Sequence, residues 1–261
     1  MSKKSRINIQ EIDYDIYILI NDDKSNCTRD CLFGSATHLD HDEIQRLKNL
    51  NLFKIEYYAD NVNSKTRSRS SSSKKSPTIT KKMKLLNSIH KDLCPSESWL
   101  QGHMKTSLQR STFTIFINNK NTSLTYDPFC IATVSKDYYE DPDDETDSYN
   151  FLYIHTFCGS SEYKKCASHL MNVIKLIAYH LDYEYVKLTS VTNPHTLKWY
   201  KLQGFSRESK KSDEHYYKIK SKDQYYNRAR IEGTCNIIIP SQVSSKKSKK
   251  SSKKNTTMKK L

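Results

Sequence analysis

Ile16, Ile18 and Ile20 enclose Tyr17 and Leu19 in a β-rich apolar run, and Ile44, Leu47 and Leu50 then recur three apart, so a strand followed by a helix is predicted. Met83, Leu86, Ile89 and Leu93 mark one face of a second helix, stopped near Pro95. Three strands follow, at Ser111 to Asn118, Phe129 to Lys136 and Asn150 to Phe157, and their tight connections predict an antiparallel meander. From Lys165 to Leu181 the apolar residues Ala167, Leu170, Met171, Ile174, Ile177, Ala178 and Leu181 keep steps of three and one, a strong helical pattern. Tyr185 to Val191 reads as a strand. Asn193-Pro194 opens a short helix, because the Asn side chain accepts from free N–H groups and Pro suits the first position. Gly204 ends that helix, since Gly takes the left-handed cap at little cost. Strand segments around Phe205 and from His215 to Lys220 complete an α/β domain with a mixed, mainly antiparallel sheet flanked by helices.

At 261 residues the chain is long enough for a sizeable core, and its 18 Tyr and 8 Phe supply bulky apolar area. No apolar stretch approaches the ~20 residues of a membrane span. The first ten residues lack the apolar core of a secretory signal, and seven cysteines at irregular spacings fit a reducing compartment better than a disulfide framework. An intracellular protein, cytoplasmic or nuclear, is therefore expected, with most cysteines acting as small buried hydrophobes.

The net charge of +14 is unevenly placed. Residues 64 to 84 carry eight basic residues and no acid, and residues 239 to 261 carry eight lysines and no acid, which leaves the remainder at about −2. Both Ser/Lys-rich segments are expected to be disordered. They read either as a solvated linker and tail or as contacts to nucleic acid or anionic lipid. Glu140 to Asp147, with six acids in eight residues, reads as a solvated hairpin loop, with docking of a cationic substrate as the lesser alternative.

The stretch Asn193-Pro194-His195-Thr196-Leu197-Lys198-Trp199-Tyr200-Lys201-Leu202-Gln203-Gly204-Phe205 resembles the signature of the GNAT superfamily of N-acetyltransferases, which use acetyl-CoA as donor. The strand Asn150 to Phe157, the loop Cys158 to Lys165 and the helix from Cys166 resemble that family's CoA-binding strand, loop and helix, and Ala167 to Met171 is similar to its histone-acetyltransferase branch. The resemblance spans roughly residues 12 to 222, leaving 1–11 as an N-terminal extension, 64–80 as a basic insert, and 223–261 as a C-terminal extension with a tail from about 240. A loop running into a helix N-terminus presents unpaired N–H groups and the positive end of a dipole, which suits a pyrophosphate. The resemblance implies that Phe157, Cys158, Glu162, Tyr163, Lys164, Lys165, Cys166, Ala167 and Asn193 line the acetyl-CoA site. The family's loop has Arg or Gln, Gly, and Gly or Ala where this chain has Glu162, Lys165 and Ala167, so two of the three depart from it.

Acetyl transfer requires an amine to attack the thioester, an oxyanion to be stabilised and a thiolate to leave. The resemblance implies that Tyr200 protonates the thiolate; packing of helix on sheet is the alternative role. An amine of pKa ~10.4 is neutral in only about one molecule in 2,500 at pH 7, so a base or water chain assists. Alternation puts Phe151, Tyr153, His155 and Phe157 on one face of their strand, with no carboxylate among them, and His155 is the best available base unless a bulge breaks the parity. A structural histidine is an equal reading. The backbone N–H near Phe157 is a candidate for the thioester oxygen. Cys27, Cys31, His38 and His41 have a ligand-like spacing, but their central gap is far shorter than in common zinc fingers, and no metal site is expected. No base is evident to activate Cys158 or Cys166, so direct attack is preferred over an acyl-cysteine route. The expected activity is acetyl-CoA-dependent transfer of an acetyl group to a primary amine, of a small molecule or of a protein lysine or N-terminus. The alternative is a catalytically decayed domain of the same fold, used as a binding module tethered to nucleic acid by the basic segments.

Overall fold

The computed structural model describes residues 8–11, 13–21, 38–58, 81–94, 111–122, 124, 126–140, 148–160, 163–190, 193–209, 213–220, 223 and 236–239. The basic insert at 64–80, the acidic loop at 141–147, Glu162 and the tail from 240 lie outside them. In chain order the elements are β1 (Asn8–Glu11), β2 (Tyr14–Ile20), α1 (His41–Asn49), β3 (Phe53–Tyr57), α2 (Lys81–Leu93), β4 (Phe113–Asn119), β5 (Pro128–Glu140) and β6 (Ser148–Gly159). There follow β7 (Tyr163–Lys164), α3 (Cys166–His180), β8 (Tyr185–Thr189), α4 (Pro194–Leu202), β9 (Ser206–Arg207), β10 (Glu214–Lys218) and β11 (Asn236–Ile239).

An eight-stranded sheet in the order β3-β2-β4-β5-β6-β8-β10-β9 forms the body, and β1, β11 and β7 make a second, small sheet. The main sheet is mixed and mainly antiparallel, since only β2 with β3 and β6 with β8 run parallel. This is the fold class read from the hydrophobic pattern. Two features were not anticipated. β3, whose Phe53, Ile55 and Tyr57 alternate between the helices, adds a parallel edge strand beside β2. β11, inside the C-terminal extension, lies between β1 and Tyr163–Lys164 and pairs with both, so it meets the loop before α3.

The sheet divides the core into two. One face gathers Ile16, Ile18, Ile115, Ile117, Ala132, Val134, Leu152, Ile154, Val186 and Leu188 against Leu47 of α1, much of α3, and Tyr200 of α4. The opposite face of its first half packs Leu19, Phe116 and Ile131 against Leu86 of α2. Leu170, Met171, Ile174, Ile177 and Ala178 of the periodic set are buried on α3, and Cys166, His169, Val173, Lys175 and Leu176 are buried beside them. Each large side chain so buried contributes about 1.5–3 kcal/mol. α1 is fixed by a capping box between Asp40 and Glu43. Glu43 also accepts from Tyr183 Oη at 2.9 Å and Lys136 Nζ at 2.9 Å, tying α1 to β5 and to the turn after α3.

The cysteine reading needs correction. Cys94, at the end of α2, is disulfide-bonded to Cys158 on β6 across a sequence separation of 64 residues. The packing of α2 against β5 and β6 brings these thiols together, which their spacing in the chain does not reveal. Cys130 and Cys166 are free and buried, as expected of small hydrophobes. No helix of the described residues is long and apolar enough to cross a membrane.

Candidate functional site

β6 and β8 pair in parallel from Phe151 opposite Tyr185 to Ile154 opposite Leu188 and no further. β6 then continues to Gly159 while β8 stops at Thr189. The strands part. At the parting point β6 carries an extra residue, because Val134 lies opposite Ile154 whereas Thr133 lies opposite Thr156. That residue is His155, in a β-bulge. Beyond it every side chain changes face, which corrects the simple alternation: Phe157 sits opposite Ala132 on the face carrying α3 and α4, whereas Phe151 and Tyr153 belong to the other face. His155 stays with the latter, its Nε2 2.6 Å from Ser135 Oγ and its ring 5.0 Å from that of Tyr153. Among the described residues, the edge of β6 from 155 to 159 that faces β8 has no ladder partner, so its backbone groups border the gap.

Past Gly159 the chain turns into α3. A Cβ at Gly159 would stand 3.3 Å from Cys130 Cβ and 3.6 Å from Ala167 Cβ, so the glycine lets the first turn of α3 lie close against β5 and β6. Ser160 is held by its N–H donating to Phe129 O at 2.9 Å. Lys165 takes the N-cap position with φ 67° and offers no side-chain cap, so the early N–H groups of α3 have no capping oxygen from it. Lys165 is thus left-handed, at a cost of roughly 1–2 kcal/mol for a residue bearing a Cβ. No acidic residue lies in the first turn of α3, and Lys165 is exposed. The turn is therefore electropositive.

α4 spans the parting on the same face. Asn193 caps it, Oδ1 accepting from His195 N–H at 2.9 Å, with Pro194 at the first helical position. Gly204, at φ 87° and within 3.1 Å of the Tyr217 ring for an added Cβ, ends the turn as expected. Lys175 Nζ donates to Gln203 O, and Gln203 Nε2 donates to Ser168 Oγ at 3.1 Å, so α4 is anchored to α3. A run of rings then leads from β6 past the parting to β10: Phe157 to Trp199 at 5.4 Å, Trp199 to Tyr200 at 5.1 Å, and Tyr200 to His215 of β10 at 5.9 Å. Tyr200 is buried, and burial pushes its phenol up to about 12.

No protein-family model matches the chain, and none of the curated proteins matches it. Three of the solved structures that it is similar to are AtaT complexed with acetyl-methionyl-tRNAfMet, the NatC complex bound to Gag peptide and CoA, and NAA60 of Arabidopsis thaliana in complex with acetyl-CoA. For AtaT the identity is 13%, covering 49% of this chain and 86% of that one, with a TM-score of 0.36. For NatC the values are 14%, 53%, 91% and 0.36, and for NAA60 16%, 52%, 94% and 0.37. What the site can do chemically is read from its own geometry.

Of the residues singled out in the sequence, Phe157, Cys166 and Tyr200 pack on one face of the sheet, Lys165 and Ala167 stand at the head of α3, and His155 lies on the other face. Cys158 is turned to the second face and bonded to Cys94, so it is withdrawn from acyl-cysteine chemistry. Cys166 is buried with its carbonyl accepting from Cys130 Sγ at 3.4 Å. The Asn193 side chain is occupied as a cap. Tyr163 and Lys164 are placed only as backbone, in β7 against β11. Glu162 lies outside the described residues, as do Cys27 and Cys31 of the ligand-like array; His38 Nδ1 lies 2.9 Å from Asn21 O. Among the described residues no group of three or more His, Cys, Asp or Glu is placed to hold a metal ion. Sequence reasoning missed Gly159, Ser190 and His215. An alternation of His215 with Tyr217 toward the core would have marked a histidine on an apolar face.

Proposed function

We propose that the chain is an acetyl-CoA-dependent N-acetyltransferase that passes an acetyl group to a primary amine by direct attack. The observation that carries this reading is the parting of β6 and β8 at the His155 bulge, with the uncapped head of α3 at one end and Tyr200 beside it. The residues fit the donor. N–H groups at the start of α3 and the Lys165 cation suit a pyrophosphate, Gly159 lets that turn pack close on the sheet, and the free edge of β6 offers backbone groups to an extended amide-bearing arm. When bound, acetyl-CoA supplies the activated acyl group.

The gap passes through the sheet, so donor and acceptor are able to approach from opposite faces. On one face His155, steadied by Ser135, takes the proton that the attacking amine must shed. The N–H at the free edge near Phe157 donates to the thioester oxygen as it gains charge. On the other face Tyr200, kept protonated by burial across the physiological range, gives its proton to the sulfur as the C–S bond breaks. Direct transfer is favoured because both cysteines near the gap are buried or disulfide-bonded.

Titration calorimetry of the full chain with acetyl-CoA tests the reading, followed by mass spectrometry of an amine panel containing polyamines, lysine peptides and free-N-terminal peptides. Micromolar-range binding and a mass gain of one acetyl group are expected. Absence of binding would leave the fold as a binding module, with affinity for nucleic acid that disappears on deleting residues 240–261.

A further inference from the structure

Buried polar groups elsewhere in the sheet find partners: Thr133 Oγ1 meets Thr156 Oγ1 at 2.8 Å, and Tyr58 Oη meets Thr114 Oγ1. Among the described residues two buried side-chain atoms have none, Ser190 Oγ and His215 Nε2. Each residue is only 6% exposed. A buried polar atom without a partner is destabilising, and an apolar side chain in its place would not be.

The two residues are neighbours. His215 lies opposite Leu188 in the pairing of β10 with β8, and Ser190 N–H donates to Asp213 O at 2.9 Å. Ser190 and His215 are therefore diagonal across the two strands on one face, which is the face of Leu188 and α4. Tyr200 of α4 meets His215 there, the ring planes inclined by 33°. Two unsatisfied polar atoms thus stand on the sheet face that carries Tyr200, one of them in the ring that meets it. Such a grouping serves proton movement better than it serves packing.

We propose that His215, assisted by the Ser190 hydroxyl, is a positioning residue that resupplies the proton Tyr200 gives up during acyl transfer. The proposal rests on the acetyltransferase reading above. As the C–N bond forms and the C–S bond breaks, Tyr200 passes its phenolic proton to the leaving sulfur. The phenolate then takes a proton from the His215 imidazolium through Nε2 by way of a bridging water that Ser190 Oγ helps to hold, since neither atom hydrogen-bonds to the phenol itself. His215 regains a proton from solvent, while the proton shed by the acceptor nitrogen leaves to solvent through His155. Thioester and amine become amide and thiol, and the protein ends the cycle unchanged. The groups around His215 are Tyr200 from α4, Ser190 and Leu188 from β8, Arg207 opposite it on β9, and Asp213 two residues before it. Burial first, and then the Arg207 guanidinium, hold the imidazole below the usual histidine range, with Asp213 opposing them. An imidazolium so disfavoured releases its proton readily to a phenolate.

The experiment is the pH dependence of kcat for the full chain, followed as release of CoA thiol from acetyl-CoA with the best amine of the panel. Wild type, His215→Gln and Ser190→Ala are compared, with acetyl-CoA Kd and Tm measured alongside. His215→Gln is expected to lower kcat about tenfold or more with Kd within about twofold, and to abolish the limb on which kcat falls as pH rises through the imidazole. A third variant, His215→Ala, is expected to regain part of its activity with added imidazole, and a variant with wild-type turnover before imidazole is added overturns the proposal. A His215→Gln protein with wild-type kcat and an intact descending limb overturns the proposal. If that variant does not fold, Ser190→Ala decides: about threefold lower kcat at unchanged Tm supports the relay, and wild-type kcat overturns it. An active wild type matched by its variants defeats the relay alone. A wild type that binds no acetyl-CoA defeats the acetyltransferase reading with it.

Discussion

From β2 across β4 to the first half of β5 the sheet is covered on both faces, by α1 and α3 on one side and α2 on the other, and its ladders run unbroken save for a shift near Asn118. Between β6 and β8 pairing ends at Ile154 and Leu188, and a bulge, a glycine, a left-handed lysine and two unpartnered polar atoms lie around the gap. The contrast locates two different jobs. Side chains such as Phe116 and Ile131 do nothing but exclude water, whereas the second region keeps unmet hydrogen-bonding capacity that a sheet selected for stability alone would have closed.

Substitutions on each side of this contrast should fail in different ways. Phe116→Ala, at a fully buried ring stacked on Tyr17, is expected to cost about 3–5 kcal/mol in chemical denaturation while the folded fraction keeps its acetyl-CoA Kd. Tyr200→Phe is expected to do the reverse, lowering kcat on the order of a hundredfold with Kd and Tm nearly unchanged. Equal losses of stability and turnover in both variants would erase the distinction.

α3 joins the two regions, and pH probes the joint. His169, buried on α3 with Nε2 3.2 Å from Tyr14 Oη, is held down to about 4 by burial. Because the folded value is depressed, its neutral form contributes stability above about pH 6.5 that is lost as pH falls toward 4. The loss amounts to about 3 kcal/mol. Urea denaturation at pH 7 and pH 4.5 should show most of it, and His169→Leu should flatten the difference; an equal slope in that variant would assign the acid sensitivity elsewhere. The smallest effect concerns the head of α3. Lys165→Gly is expected to stabilise the fold by up to about 1 kcal/mol, by relieving the left-handed backbone, and to weaken acetyl-CoA binding about two- to fivefold through loss of the cation. Calorimetry and thermal melts of the same sample would separate the two.

Where local rules sufficed, the sequence was legible. The periodicity of α3, the Asn193-Pro194 start of α4 and the Gly204 cap each follow from a residue's own geometry, and each is found at its expected place. Nonlocal facts were not. The bulge at His155 depends on β5, the disulfide of Cys94 with Cys158 depends on how α2 packs, and the pairing of β11 with β7 joins segments about 70 residues apart. A one-residue slip reverses the face of every later side chain, so strict alternation misplaced Phe157. Tyr200 was singled out on the motif alone; its neighbour His215 became visible only when β10 was set beside β8.

Hydrogen–deuterium exchange of the full chain with and without acetyl-CoA tests most directly whether the parted strands and the head of α3 hold the donor. Slowed exchange is predicted at the amides of 157–159 and 166–168, with β2 and β4 unaffected. Protection confined to other segments, or none at saturating acetyl-CoA, would contradict the account.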